Sequence, residues 1–249
     1  MQVKERIERL IRRDEVLRDY SCRLFNKKDG GKFLDLSCGA RSDIQEIVKS
    51  FGYTWVGVDH MDRSGVVKAD AHALPFPDSQ FDVVYAGAAF EHYRDPWHVA
   101  EEVRRVLRPN AYFCGLVAFV QPWHGESYYH FSHLGVREML QRMDLEVLDI
   151  HAGDVNGVTY LIRVLFHYWN VGRVLSVYGS LLYGIRRWFF PLLVRFAMAG
   201  NKERRAKELA SLRDDPLRFA ASIIFLGRKK APSEIACAGD GAGSAWAGG

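Results

Sequence analysis

From residue 30 to 153 the chain alternates short apolar runs with segments whose apolar positions fall three and four apart. KFLDLS (32–37), YTWVGVDH (53–60), GVVKAD (65–70), FDVVYAG (81–87), AYFCGLVAFV (111–120) and LEVLDIHAG (145–153) read as strands. RSDIQEIVKSF (41–51), PWHVAEEVRRVL (96–107) and HLGVREMLQRM (133–143) read as helices between them. The near-continuous apolar run of 111–120 suits a central strand buried on both faces. Ahead of this unit, Val3, Ile7, Leu10, Ile11, Leu17 and Leu24 recur at helical spacing among charges, which predicts one amphipathic helix over 3–25. Asp29-Gly30-Gly31 ends it. Strands alternating with helices imply right-handed crossovers in an open, doubly wound α/β sheet. LRFAASIIFLGRKK (217–230) is a further strand, placed to pair with the sixth.

The expected organisation is an N-terminal helix within 1–29, a core over 30–153, a helical insertion over 154–216 and a last strand within 217–230. A Gly/Ala-rich tail, 231–249, has the composition of a disordered segment. With 249 residues, 48% of them hydrophobic, the chain can bury one sizeable core. Its net charge of +4 says little about nucleic acid, and no basic stripe lies outside the insertion, so nucleic acid is disfavoured as a partner. Cys22, Cys38, Cys114 and Cys237 form no CxxC pair, which argues for reduced thiols in a cytoplasmic setting rather than a disulfide framework or a zinc site. The charged N-terminus lacks the apolar core of a signal peptide, and no apolar run reaches the length of a spanning helix.

In an open α/β sheet the ligand site lies beyond the carboxyl ends of the central strands. The loop there is SCGARSD (37–43). A pyrophosphate needs several glycines for close backbone approach, and this loop offers only Gly39, flanked by Ser37 and Arg41. Asp59 ends the second strand, beside His60, where a carboxylate accepts both hydroxyls of a ribose. Asp70-Ala71 follows the third, where a carboxylate accepts from an adenine amino group. These are the parts of an adenosine site without a phosphate cradle.

The ordered set FLDLSCGA, WVGVDH, VVKADAHALPFPDSQFDVVYAGAAFEH and EEVRRVLRPNAYF resembles the class I S-adenosylmethionine-dependent methyltransferases, in the branch called methyltransferase type 11. The resemblance covers roughly residues 30–153. It implies a seven-stranded, mostly parallel sheet whose last, antiparallel strand falls in 217–230, and S-adenosyl-L-methionine as cofactor. By the same resemblance, Asp35, Ser37 and Gly39 belong to the loop around the methionine part, Asp59 to the ribose, and Asp70 and Ala71 to the adenine. Ala86 and Gly87 would line the methyl-donating centre, and Glu91-His92 would face the substrate. Ser37 departs from the family's glycine, and a serine enters positive φ less easily.

Methyl transfer needs a base only where the acceptor must lose a proton, and His92 suits that task for an oxygen or nitrogen acceptor. Structural capping is the alternative for Glu91 and His92. The run Trp123 to His133 holds three histidines and Glu126, but its spacing matches no familiar ligand motif. Packing and capping are the expected roles there, with Ser132 as a helix N-cap; a substrate wall formed by the aromatic residues, Tyr128 and Tyr129 among them, is the second reading, and no metal is expected. Asp78 is read as a turn residue, and Arg104, Arg105 and Arg108 as structural residues at a helix C-terminus. Residues 155–202 contain no Asp or Glu and carry six basic and ten aromatic residues. That composition fits a substrate lid or an interface, with peripheral membrane contact close behind. Acceptors compatible with it are a small molecule or a lipid- or glycan-linked group. A non-catalytic module that binds a partner or membrane through 155–202 is the alternative class, and the oligomeric state is left open.

Overall fold

The computed structural model describes residues 2–26, 30–40, 43–121, 125–154 and 220–231, together with scattered positions in 157–189 and at 217, 233 and 234. The expected helical insertion and disordered tail, and Trp123 and His124, lie almost entirely outside the described residues.

In chain order the elements are α1 (Gln2–Arg13), α2 (Glu15–Leu24), β1 (Lys32–Leu36), α3 (Asp43–Ser50), β2 (Thr54–Asp59), β3 (Val67–Lys68) and β4 (Phe81–Gly87). A single 3-10 turn (Phe90–His92) follows, then α4 (Pro96–Val106), β5 (Leu107–Ala118), α5 (His133–Arg142), β6 (Leu145–Ala152) and β7 (Ser222–Lys229). The seven strands form one sheet in the order β3-β2-β1-β4-β5-β7-β6. The pairs among β1 to β5 are parallel, and β7 runs antiparallel between β5 and β6. The expected last strand is therefore present, and it pairs with the fifth as well as the sixth.

Alternation along β1 explains how helices come to cover both faces. Leu34 and Leu36 point into the cluster formed with α4 and α5, where Val99, Val103, Met139 and Leu140 are fully buried. Phe33 points the other way, against Leu17 of α2 and Ile44, Ile47 and Val48 of α3. Both faces are packed, as a parallel sheet requires.

Of the boundaries that differ from the sequence reading, two have a visible cause. The N-terminal segment is two helices instead of one, because Asp14 takes an extended conformation and caps α2 through Oδ1, which accepts from Leu17 N at 2.9 Å. Its Oδ2 accepts from the Tyr85 hydroxyl at 2.7 Å, so the break is tied to the middle of β4. β5 begins four residues earlier than expected. Leu107 pairs with Phe81, a register irregularity follows, and Asn110 at φ +63° absorbs it before Tyr112 pairs with Val83.

Strand order reverses between β1 and β4, which opens a crevice beyond their carboxyl ends. Everything chemical below gathers there.

Candidate functional site

A cleft of about 530 Å³ occupies this crevice. Its first wall is built from β1 and β2. Ser37 leaves β1 at φ +55° and Gly39 follows at φ +59°, with no atom within 4 Å of where a Gly39 Cβ would stand. The loop is held from below: Cys38 N donates to Val58 O at 3.0 Å and Gly39 N to Asp59 Oδ2 at 2.8 Å. Asp59 Oδ1 accepts from Met61 N at 2.9 Å, so one carboxylate braces the ends of both strands. His60 Nδ1 also lies 3.3 Å from Asp59 Oδ1, while Oδ2 has a second acceptor direction beside the Gly39 bond. His60 and Arg63 also line this wall. Arg63 Nε is buried without a hydrogen bond among the described residues, and lies 3.9 Å from Asp59 Oδ2.

The floor beyond β3 carries Asp70, Ala71 and His72. Asp70 Oδ1 accepts from His72 N at 2.9 Å and pairs with His72 Nδ1 at 2.6 Å. These hydrogen bonds, the backbone one first, hold the Asp70 carboxyl below its usual range. The chain thus presents an ionised carboxylate here whose orientation is fixed by the next residue but one.

The opposite wall departs from expectation. Ala86 and Gly87 are not among the residues lining the cleft, because they remain paired in the sheet with Gly115 and Leu116. Even Ala88 donates its N–H to Leu116 O, at 2.9 Å. The chain leaves the sheet only there, so Ala88, at φ +54°, and Ala89 form the wall instead.

Glu91 and His92 also separate. Glu91 is fully buried, its Oε1 accepts from Ala118 N at 3.1 Å, and its carbonyl accepts from Tyr128 N and Tyr129 N. Burial pushes its carboxyl up. It ties the 3-10 turn to the end of β5 and to the loop before α5, and does not line the cleft. His92 does line it, with Nδ1 3.1 Å from Glu126 O. A carbonyl only accepts, so Nδ1 is the donor in this contact.

Asp35 is likewise beneath the site. It is buried in β1, accepts from Trp55 Nε1 at 3.2 Å, and is absent from the cleft lining. Strand alternation turns its side chain to the face covered by α2 and α3, away from Leu34 and Leu36.

Several lining residues were not singled out from sequence: Arg63, His72, Tyr93 and Arg94. Tyr93 Oη lies 2.6 Å from Ser37 Oγ, joining the two walls. Only His72 had a signal, its place directly after Asp70-Ala71; the others sit in irregular backbone where spacing carries no information.

The other residues named from sequence have structural partners. His130 spends Nδ1 on Phe119 O and Nε2 on Ser127 Oγ, and Ser132 caps α5 through Gly135 N. No group of three or more potential metal ligands occurs among the described residues. Arg104, Arg105 and Arg108 pair with Asp144, with Glu102 and Asp78, and with Asp82 respectively. The buried Cys38 thiol is pushed up to about 11, chiefly by burial, and is inert at neutral pH. No described helix is long and apolar enough to cross a membrane.

A family model described as "Methyltransferase domain" matches residues 34–115, the stretch that runs from β1 to mid-β5. The chain is 32% identical over 162 residues to sterol 24-C-methyltransferase ERG6B of Gibberella zeae; the match takes in 58% of this chain and 40% of that protein. It is 50% identical over 48 residues to 27-O-demethylrifamycin SV methyltransferase of Amycolatopsis mediterranei, 19% of this chain and 18% of that one. The chain thus spans well under half the length of these relatives. Phosphoethanolamine N-methyltransferase 2 of Haemonchus contortus, solved with S-adenosyl-L-methionine, shares the fold at a TM-score of 0.50 and 17% identity, over 86% of this chain and 52% of that one. The sheet order, the cleft at its switch point and the matched core agree: residues 34–115 match a methyltransferase domain, and the sheet is that of the Rossmann-like methyltransferase fold.

Proposed function

We propose that the protein transfers a methyl group from S-adenosylmethionine to a small-molecule or lipid- or glycan-linked acceptor. The observation that carries this reading is the convergence of Gly39, Asp59, Asp70 and Ala71 on one cleft at the switch point. Their chemistry fits an adenosyl sulfonium. Two carboxylates suit ribose hydroxyls and an adenine amino group, Val58, Ala69 and Ala71 suit an aromatic base, and nothing in the loop repeats the glycines a pyrophosphate needs. Arg63 Nε, without a hydrogen bond among the described residues, is a donor that a ligand acceptor atom would satisfy.

When bound, the cofactor supplies an electrophilic methyl group. The protein's share is to hold the acceptor in line and exclude water. Ala88 and Ala89 give a close, featureless wall at the reacting end. His92 is the group placed to take a proton from an oxygen or nitrogen acceptor. Tyr128 and Tyr129 are exposed large apolar residues of the loop joined to this end, a surface suited to an acceptor with an apolar body. One relative's name places its chemistry on a sterol, a lipid, which favours that class. Contact of 155–202 with a membrane surface would be compatible with such an acceptor.

Isothermal titration of the full chain with S-adenosylmethionine and S-adenosylhomocysteine tests the reading. Binding of both in the micromolar range is expected. Absence of binding at millimolar concentration would leave the non-catalytic module as the better account.

A further inference from the structure

Five residues other than glycine have positive φ among the described residues, and two of them, Ser37 and Ala88, line the cleft. Glycine enters this region freely, whereas a residue with a Cβ enters it at a cost and stays only where its surroundings hold it. For Ser37 the holder is visible. Its Oγ is 2.6 Å from Tyr93 Oη, and Tyr93 comes from the opposite wall, 56 residues away. The Tyr93 ring is itself fixed, packed edge-on against Phe90 at 5.3 Å and against His72 at 5.9 Å, and is almost wholly buried. The next two residues after Ser37 carry the loop's remaining ties, Cys38 N to Val58 O and Gly39 N to Asp59 Oδ2. Both depend on where Ser37 turns the chain.

We propose that Ser37 and Tyr93 are a coupled positioning pair: the Tyr93 hydroxyl holds Ser37 in its left-handed conformation and thereby fixes the loop that presents Gly39 to the cofactor. This rests on the methyltransferase reading for the identity of the ligand, though not for the coupling itself. A glycine at position 37 would hold the same turn without help, so the hydroxyl of Tyr93 matters only while a residue with a Cβ stands there. Tyr93→Phe therefore has a different consequence in the two backgrounds, which a tyrosine that merely fills space would not produce.

The test is a double-mutant cycle in the full chain with Ser37→Gly and Tyr93→Phe, read by titration with S-adenosylhomocysteine and by amide hydrogen exchange at Cys38 and Gly39. Tyr93→Phe is expected to weaken binding roughly 5- to 10-fold in the wild-type background and less than about 2-fold in the Ser37→Gly background. Exchange at both amides should accelerate at least about 5-fold in the wild-type background alone. Ser37→Ala, which keeps the Cβ and loses the hydroxyl, should be worse than Ser37→Gly in both measurements. Equal effects of Tyr93→Phe in the two backgrounds, or none in either, would overturn the pair. If the wild-type chain binds no S-adenosylhomocysteine, the ligand reading fails, while the exchange cycle still decides the coupling.

Discussion

The two walls of the cleft are made by different means. The wall from β1 and β2 is set by strand ends whose register is fixed by parallel pairing from Lys32↔Thr54 to Leu36↔Val58, and one buried carboxylate, Asp59, ties both loops together. The wall beyond β4 is irregular backbone, held by Glu91 reaching across to Ala118 and to the loop that carries Tyr128 and Tyr129. In the first wall the groups that brace the site also face the ligand. In the second they are separate residues, Glu91 bracing and His92 facing. Invariant chemistry can be built into a sheet, while a variable acceptor is better served by a loop that one staple holds in place.

Substitutions should separate the walls. Asp59→Ala is expected to have the largest effect, a loss of about 100-fold or more in S-adenosylhomocysteine affinity by calorimetry. It removes a charge-assisted acceptor for the ligand, worth about 1.5–3 kcal/mol, and releases Gly39 N and Met61 N as well. Next, His92→Gln should lower the turnover of an oxygen or nitrogen acceptor roughly 10- to 100-fold and leave cofactor affinity within about 2-fold. A comparable loss of cofactor affinity would place His92 on the wrong wall.

Glu91 gives a smaller effect, seen in stability. Glu91→Ala should cost about 1–3 kcal/mol by denaturant titration, since Ala118 N loses its acceptor inside the protein. Glu91→Gln keeps an acceptor oxygen and removes the charge. Burial raises the Glu91 carboxyl, so its contribution is fully present below the ordinary glutamate pKa and is lost as pH rises through the folded value. The melting temperature of Glu91→Gln relative to wild type should therefore increase from about pH 4.5 toward neutrality. A flat difference across that range would show that Glu91 is not held by burial.

The same contrast explains what could be read from sequence. β4 appears where FDVVYAG predicts it, and Asp59 reaches the cleft because a strand end places its last residue by register alone; Asp70, two residues past β3, is set there by its bonds to His72. Asp35 was misplaced by the same regularity: period-two alternation sends it to the far face, a consequence the motif did not reveal. Ala86 and Gly87 missed the cleft by two residues because the last hydrogen bond of β4, from Ala88 N, is a tertiary fact. Tyr93 and Arg63 reach the cleft from turns with no periodicity. Asp14 shows how a single cap can split a continuous amphipathic pattern when its second oxygen has a buried partner.

The most direct test of the account is a crystal structure of the full chain with S-adenosylhomocysteine. The account predicts the ribose hydroxyls on the Asp59 carboxylate, the adenine beside Asp70 and Ala71, and the sulfur end of the product toward Ala88, Ala89 and His92. Product bound away from Asp59, or adenine seated against Ala88 and Ala89, would contradict it.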